Sequence, residues 1–336
     1  ALCLSDLAWV FMEKGNYSKA EELWLDTLNI QSEFYGPEHP YVAYTLRSLS
    51  MVYLNMGDYS TALDYMTRSL DIMSVYHSET DPAMSPFLAD MAKILARQGD
   101  LQQPADLYQK AYRTILSSYG SNHLYTAQFL CEYADFALKT NRMSLVGECL
   151  DKAKEIYGKF SDHNFSNKIS LQITEAQWHE ASQRSDEAER LLQKGLEFAP
   201  AYLGADPPHN RRIWMHLGRI YYKQGRYKDA EMSFQKAQKC LAERPSNSVF
   251  YAEIMYWTAQ VKMQQQQYQE AAVLCRNALV GIEKNLLPAH PLYIEIHDFI
   301  QERGTPKDNP QAVGRINRPV STGAIALGRS LLPDVN

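Results

Sequence analysis

The sequence contains no apolar run that approaches the ~18 residues of a membrane span, and we expect no signal peptide. Its five cysteines are an odd number, and no two of them form a C-x-x-C pair. They are Cys3, Cys131, Cys149, Cys240 and Cys275. Free, packed thiols are typical of a reducing compartment, so we expect a cytoplasmic protein with no membrane partner.

Motifs for catalysis and for cofactor binding are also missing. There is no nucleophile elbow and no phosphate-binding loop, and the segment around His179 lacks the second histidine of an H-E-x-x-H zinc motif. His39, His123 and His290 occupy similar loop positions, but helices packed ~8–10 Å apart would keep the first two too distant to share a metal ion. We expect no enzyme activity, no metal and no cofactor, and we assign these histidines to loop structure.

The charge is mild and uneven along the chain. The net charge of −5 does not indicate the strongly basic surface that proteins use to bind nucleic acids. Five basic and two acidic residues lie between Arg303 and Asn336, which makes this end +3 and leaves the rest at −8. The same end is rich in Gly, Pro, Asn and Ser without a helical period, so we expect residues 304–336 to form a flexible basic tail.

What the sequence does contain is one pattern that returns every 42 residues. Its clearest copy runs from Gly36 to Leu70 and predicts a helix, a tight turn at Gly57 and a second helix that carries Ala62. Six copies place the turn residue in register with the 42-residue period. In a seventh copy the turn residue comes one residue early. These positions are Gly15, Gly57, Gly99, Asn141, Gln183, Gly225 and Gln266. Self-similarity at a fixed period indicates a solenoid of stacked helix pairs.

Small and large residues alternate at fixed places within each unit. The first helices carry a small residue at Ala8, Ser50, Ala92, Ala134, Ala176, Gly218 and Ala259. The second helices carry a short residue near their start and a bulky one four residues later in most copies, as in Ala62 and Met66. Small residues let helices approach closely and large ones fill the space opposite, so these positions predict the core.

Inter-repeat loops and repeat boundaries follow the same period. Pro40, Pro82, Pro208 and Pro291 are each placed to open a helix, and Asp81 can cap one. The predicted repeats span about residues 1–35, 36–78, 79–120, 121–162, 163–204, 205–246 and 247–288, with a capping helix at 289–303. Together they make a solenoid over residues 1–303.

The pattern resembles the tetratricopeptide repeat over about residues 1–300. Small residues, a turn glycine, an aromatic and an alanine lie at that family's spacings, although its usual unit has ~34 residues. The longer period, with GPEHPYVA leading into a first helix and VYLNMGDY ending it, is similar to the kinesin-light-chain-like subgroup. The resemblance implies an all-α fold, a right-handed superhelical solenoid of about seven antiparallel helix-turn-helix pairs plus a C-terminal capping helix.

In that family the first helices line a concave groove that binds peptide segments of partner proteins. The groove candidates implied here are Arg47, Met51, Asn55, Lys93, Arg97, Lys139, Arg212, Met215, Arg219 and Lys223. Four of them, Arg47, Lys93, Arg97 and Lys139, would form a basic strip suited to an acidic peptide. The alternative is that the strip is a solvated face.

Two departures from the family limit what can be carried over. The positions where an asparagine would complete a carboxylate clamp hold Asp6, Ser48, Asp90 and Glu132, so that clamp is not evident. Kinesin light chains carry paired asparagines where this chain has Arg47 followed by Ser48, so their cargo specificity is not transferred.

Two functions stay open at this point. The first is a non-catalytic interaction scaffold or adaptor, which binds a peptide segment or a partner domain in the concave groove. The alternative is the ligand- or peptide-sensing module of a larger regulatory protein whose effector domain lies before residue 1, because the chain opens at Ala1 inside a helical pattern. A further hypothesis is that tail 304–336 docks on the acidic repeats and competes with partners.

The packing pattern makes one prediction about stability. Ala62→Phe should lower the free energy of unfolding by about 1–3 kcal/mol, because the larger ring overpacks a close helix contact. Thermal unfolding followed by circular dichroism measures the change. A melting temperature equal to that of the wild type would contradict the assignment of Ala62 to the core.

Overall fold

The chain is described by a computed structural model that covers residues 2–160, 165–203, 208–241, 248–283 and 285–303. Within these ranges the secondary structure is helical, and none of the helices is long and apolar enough to cross a membrane. The predicted tail 304–336 lies outside the described residues. The α-helices are α1 (Leu2–Glu13), α2 (Tyr17–Tyr35), α3 (Pro40–Met56), α4 (Tyr59–Tyr76), α5 (Ser85–Gln98), α6 (Gln103–Tyr119), α7 (Leu124–Lys139), α8 (Met143–Lys159), α9 (Phe165–Ala181), α10 (Ser185–Leu203), α11 (Pro208–Lys223), α12 (Tyr227–Lys239), α13 (Val249–Gln264), α14 (Tyr268–Ile282) and α15 (Pro291–Arg303).

Consecutive helices pack as seven pairs, from α1 with α2 to α13 with α14, and α15 packs against α14. The last helix buries Leu292, Ile296 and Phe299, so its apolar side covers the end of the stack. This confirms the predicted all-α, right-handed superhelical solenoid with a C-terminal capping helix.

The turn inside each pair is a left-handed residue at the position that the sequence predicts. After α3, Gly57 has φ +82° and its N–H donates to Leu54 O, while Asp58 N–H donates to Tyr53 O. The Asp58 side chain then caps α4 by accepting from Thr61 N–H at 3.1 Å. Positive φ values recur at Gly15, Gly57, Gly99, Asn141, Gln183, Gly225 and Gln266. The divergent fourth, fifth and seventh copies therefore turn like the glycine copies.

Loop prolines and histidines begin several of the first helices. Pro40 is the first residue of α3, whereas Pro82 opens a 3-10 turn, Pro82–Met84, that runs directly into α5. Asp81 caps this turn by accepting from Ala83 N–H at 2.9 Å. At three loops a histidine Nδ1 accepts from the N–H two residues later, at 3.2, 3.1 and 3.1 Å for His39, His123 and His290. These histidines are helix caps, as their loop assignment predicted.

The predicted small and large positions form the core. Ala62 and Met66 have no exposed surface, and a Cβ placed on Gly218 would lie 2.4 Å from the Phe234 ring. The other small positions of the first helices are buried too, namely Ala8, Ser50, Ala92, Ala134, Ala176 and Ala259. The alternation therefore sets how closely neighbouring helices approach.

The superhelix also closes on itself, which the sequence pattern did not predict. The turn after α3 touches the start of α13, where Val249 N–H donates to Gly57 O at 3.3 Å. The next turn meets the loop before α15, where Leu287 N–H donates to Gln98 O at 2.9 Å. Tyr59 packs edge-on to Phe250 with ring centroids 6.2 Å apart. Repeats two and three thus share a continuous apolar cluster with repeat seven.

Two glycines with the same turn geometry test this closure. Both Gly99 (φ +103°) and Gly225 (φ +75°) should lose about 1–2 kcal/mol of unfolding free energy on substitution by Ala, because a Cβ is strained in the left-handed region. Only at Gly99 would the Cβ also meet His290, 2.9 Å away, whereas Gly225 has open space around it. We therefore expect Gly99→Ala to cost more than Gly225→Ala in chemical denaturation.

Hydrogen exchange locates the extra cost. Gly99→Ala should speed amide exchange in residues 285–303, which form the closing contact, while Gly225→Ala should leave exchange there unchanged. Equal losses of stability in the two variants, with the same exchange in residues 285–303, would show that the closure contributes nothing.

Candidate functional site

The inner face of the closed superhelix forms a half-open cavity of about 540 Å³ between the first helices of repeats two to seven. Most of its lining comes from α3, α5, α7, α9, α11 and α13, with Tyr59, His290 and Leu292 added at the closing contact. The volume lies within the ~300–1,000 Å³ range of pockets for small molecules and cofactors. The inner surface of the solenoid is therefore a bounded cavity between described residues.

The lining is strongly basic although the chain as a whole is acidic. Three acidic residues face seven basic ones, a formal excess of four positive charges, against a net charge of −5 for the whole chain. The acidic residues are Asp135, Glu180 and Glu253, and the basic ones are Lys93, Arg97, Lys139, Arg211, Arg212, Arg219 and Lys223. An excess of this sign gives the cavity a positive electrostatic potential.

Part of this charge is neutralised by ion pairs within a helix and between neighbouring repeats. Arg97 Nη2 and Lys139 Nζ both contact Asp135 Oδ2, at 3.3 and 3.4 Å. At the other side of the cavity Lys223 Nζ contacts Glu180 Oε1 at 2.5 Å. These pairs hold long side chains in place on the inner face.

Three arginines of α11 make no such ion pair with a described residue. Neither a hydrogen bond nor an ion pair joins Arg211, Arg212 or Arg219 to another described residue. Arg211 instead lies over the Phe250 ring at 3.7 Å from its centroid, and Arg219 over Trp257 at 5.2 Å. Arg211 Nη1 and Arg219 Nε are buried nitrogens without a hydrogen-bond acceptor. Buried donors of this kind cost free energy unless something binds them.

The pKa values of Asp135, Lys139 and Arg212 are shifted because several positive charges lie close together around one carboxylate. Burial alone would raise the pKa of Asp135, but Arg97, Lys139 and Arg212 hold it well below its usual range. Burial together with Arg97 and Arg212 lowers the pKa of Lys139 to about 8, despite its contact with Asp135. Burial and Arg97 also lower the pKa of Arg212. One carboxylate is thus shared by three cations.

The two histidines on the lining add no charge at neutral pH. Burial, followed by the nearby Arg219, lowers the pKa of His216 to about 3, and its Nε2 lies 3.1 Å from Gln177 Nε2. Burial and then Lys139 lower the pKa of His290 to about 4. Both rings are therefore neutral hydrogen-bonding groups at pH 7.

Eight of the ten groove candidates line the cavity together. They are Asn55, Lys93, Arg97, Lys139, Arg212, Met215, Arg219 and Lys223. Arg47 does not belong to this group, because its Nε donates to Asp90 Oδ2 at 2.6 Å and its guanidinium lies over Phe87. Met51 packs against the core. That the eight residues bind a ligand stays a prediction.

The predicted basic strip is not a row of free cations. Arg47 pairs with Asp90, Lys93 Nζ pairs with Glu132 Oε1 at 2.8 Å, and Arg97 and Lys139 share Asp135. The positive charge without an ion pair to a described residue lies instead on α11, at Arg212 and Arg219, which are two helical turns apart, whereas Lys223 on the same helix pairs with Glu180.

Several lining residues were not among the sequence candidates. Asp135 lies one helical turn before Lys139, so the charge pattern of α7 could have indicated it. Glu253, Phe250 and His290 reach the cavity only through the closure of the superhelix, and no local pattern marks them.

The comparisons with known proteins agree on the type of repeat. A family model described as "Tetratricopeptide repeat" matches residues 1–74 and 168–243. "Protein KINESIN LIGHT CHAIN-RELATED 1" of Arabidopsis thaliana is 26% identical over 153 residues, which cover 44% of this chain. The match spans 24% of that relative, about a quarter of its length.

Two solved structures show the same fold at low identity. One is a Rap protein complexed with competence and sporulation factor, with a TM-score of 0.63, 15% identity, and coverage of 90% of this chain and 87% of that one. The other is NprR in complex with its cognate peptide NprX, with a TM-score of 0.60, 18% identity and 85% coverage of both chains.

The positive charges around Lys139 predict that its pKa is lower than that of an ordinary lysine. The amine of Lys139 should titrate near pH 8, more than two units below the ~10.4 of an ordinary lysine. Competitive acetylation at a series of pH values, read by mass spectrometry, measures this titration. Arg212→Gln should move the midpoint upward, because it removes one of the repelling charges.

The same titration should weaken anion binding as the pH rises. Lys139 loses its positive charge between pH 7 and 9, so the affinity of the cavity for an anion should fall over this interval. A Lys139 midpoint near pH 10.4 would contradict the coupling to Arg97 and Arg212.

Proposed function

We propose that this chain, a tetratricopeptide repeat protein whose repeats are similar to those of kinesin light chains, is a protein-interaction scaffold. In this proposal it binds a short acidic segment of a partner protein inside the cavity that the superhelix forms. The interaction is non-catalytic, and the basic lining supplies most of the attraction.

The observation that carries the proposal is the excess of positive charge on the cavity lining. A solvated basic face would have its charges screened by water and salt, whereas the cavity holds Arg212 and Arg219 partly out of solvent without a hydrogen bond or ion pair to a described acidic residue. The carboxylates of an acidic peptide would accept hydrogen bonds from these arginine N–H groups. Charge-assisted hydrogen bonds to the peptide would then replace contacts with water. This favours a bound anion over an empty, solvated face.

The comparisons support a peptide as the kind of ligand. Both fold neighbours are complexes, one with competence and sporulation factor and one with the cognate peptide NprX. At 15% and 18% identity they share only the fold with this chain, so the chemistry of the ligand has to come from the lining itself.

The lining favours binding over catalysis. Ser170 is its one serine, and its hydroxyl donates to no base among the described residues. The alternative of a sensing module within a larger regulatory protein uses the same cavity and differs only in what the bound segment controls. Its discriminating feature is an effector domain elsewhere in the protein.

A binding screen with the full chain tests the proposal. Fluorescent peptide libraries, acidic and neutral but otherwise matched, are titrated at low and at physiological salt. We expect acidic peptides to bind, to weaken as salt rises, and to lose about tenfold in affinity or more in Arg219→Gln, since a charge-assisted bond is lost. Arg113 is exposed on α6, so Arg113→Gln is the matched control for the charge change.

Two results would overturn this function. Acidic peptides that bind Arg219→Gln as tightly as they bind the wild type would place the binding surface outside the cavity. Neutral peptides that bind as well as acidic ones would show that the basic lining is not what is recognised.

A further inference from the structure

We infer that the cavity binds a phosphoryl dianion, carried by a phosphorylated side chain of the partner segment, at the basic group formed by Arg97, Lys139, Arg211 and Arg212. This inference deepens the proposed function and rests on it. It names the anion that the cavity selects and the side chains that select it.

The geometry of the basic group suits a single, compact anion. Arg97 on α5 and Lys139 on α7 are held by the same oxygen of Asp135, at 3.3 and 3.4 Å. Asp135 thereby fixes two cations from neighbouring repeats side by side. Arg212 on α11 lies close enough to interact electrostatically with both Arg97 and Asp135. Three helices thus direct positive charge to one part of the cavity.

The charge count matches a dianion better than a carboxylate. All four basic side chains line this cavity, and Asp135 and Glu253, which interact with Arg97 and Arg212, supply two negative charges, so a formal excess of two positive charges remains. A phosphorylated side chain carries about −1.5 to −2 at pH 7, whereas a glutamate or aspartate carries one charge. A carboxylate would leave part of the cost of burying these cations in place.

The donors also match the number of oxygens to be bound. The guanidinium groups of Arg211 and Arg212 make no hydrogen bond to described residues, and Arg211 is only 4% exposed. A phosphoryl group presents three strong acceptor oxygens, and arginine forks bind such oxygens two at a time. Stacking on Phe250 restricts Arg211 and so reduces the entropy lost on binding.

Three matched peptide libraries test the inference on the full chain. They share one degenerate acidic background and carry phosphoserine, glutamate or serine at the central position. We expect the phosphoserine library to bind about tenfold tighter than the glutamate library at physiological salt. Arg211→Gln and Arg212→Gln should each abolish this preference, Arg212→Lys should retain part of it, and Arg113→Gln should leave it unchanged.

Melting temperatures show whether a variant loses the phosphoserine preference because the basic group is altered or because the protein unfolds. Arg212→Gln removes a cation that attracts Asp135 but repels Arg97 and Lys139, and that makes no ion pair with a described residue, so its melting temperature should stay close to that of the wild type. If it unfolded earlier, Arg211→Gln and Arg212→Lys would still decide whether the phosphoserine preference depends on this basic group.

Inorganic phosphate serves as a separate probe of the same chemistry. It should raise the melting temperature of the wild type, saturably and more than acetate at equal ionic strength, and this rise should vanish in Arg212→Gln. If phosphate does so but no peptide binds, the dianion site stands and the peptide function fails. If glutamate and phosphoserine libraries bind equally and phosphate has no effect, the inference fails and an acidic-peptide scaffold stands.

Discussion

Every helix pair in this chain depends on one residue that takes the backbone through the left-handed region. This residue ends the first helix of a repeat, returns the chain in the opposite direction and thereby sets which faces of the two helices meet. Glycine does this at least cost, yet Asn141, Gln183 and Gln266 adopt the same conformation. The packing of neighbouring helices can supply the free energy that a non-glycine residue needs there. The regular stack, its closure and its inner face all follow from this repeated turn.

The closure converts a repeating surface into a bounded site. In an open solenoid the first helices would present their charges to solvent, and most of the resulting ion pairs would be weak. Here the start of α13 and the loop before α15 fold against the turns of repeats two and three, so the same charges face a confined volume. Confinement lowers the screening between these charges. Asp135 accordingly raises the pKa of Arg97, burial and Arg97 lower the pKa of Arg212, and the surrounding cations lower the pKa of Asp135 in spite of its burial.

The sequence predicts the local structure well and the site only in part. The turn positions, buried alanines and histidine caps depend on neighbours within one repeat, so a period of 42 residues reveals them. Most groove candidates line the cavity because helical spacing fixes which face of a first helix points inward. Arg47 shows the limit of that reasoning, since Asp90 on the next repeat binds it. His290 and Phe250 depend on how the whole superhelix curves, and small rotations summed over several repeats set that curvature.

The closing contacts also change how this solenoid can fold. Stacked repeats normally gain stability from nearest neighbours alone, so their folding can start anywhere and spread along the array. Ser60 N–H and the Asn285 side chain, 3.4 Å apart, are separated by 225 residues of sequence. Such a contact can form only after the repeats between them have stacked, because an unfolded loop of that length is entropically costly to close. The last repeat is then held at both of its faces, so unravelling from this end must begin by breaking the closure.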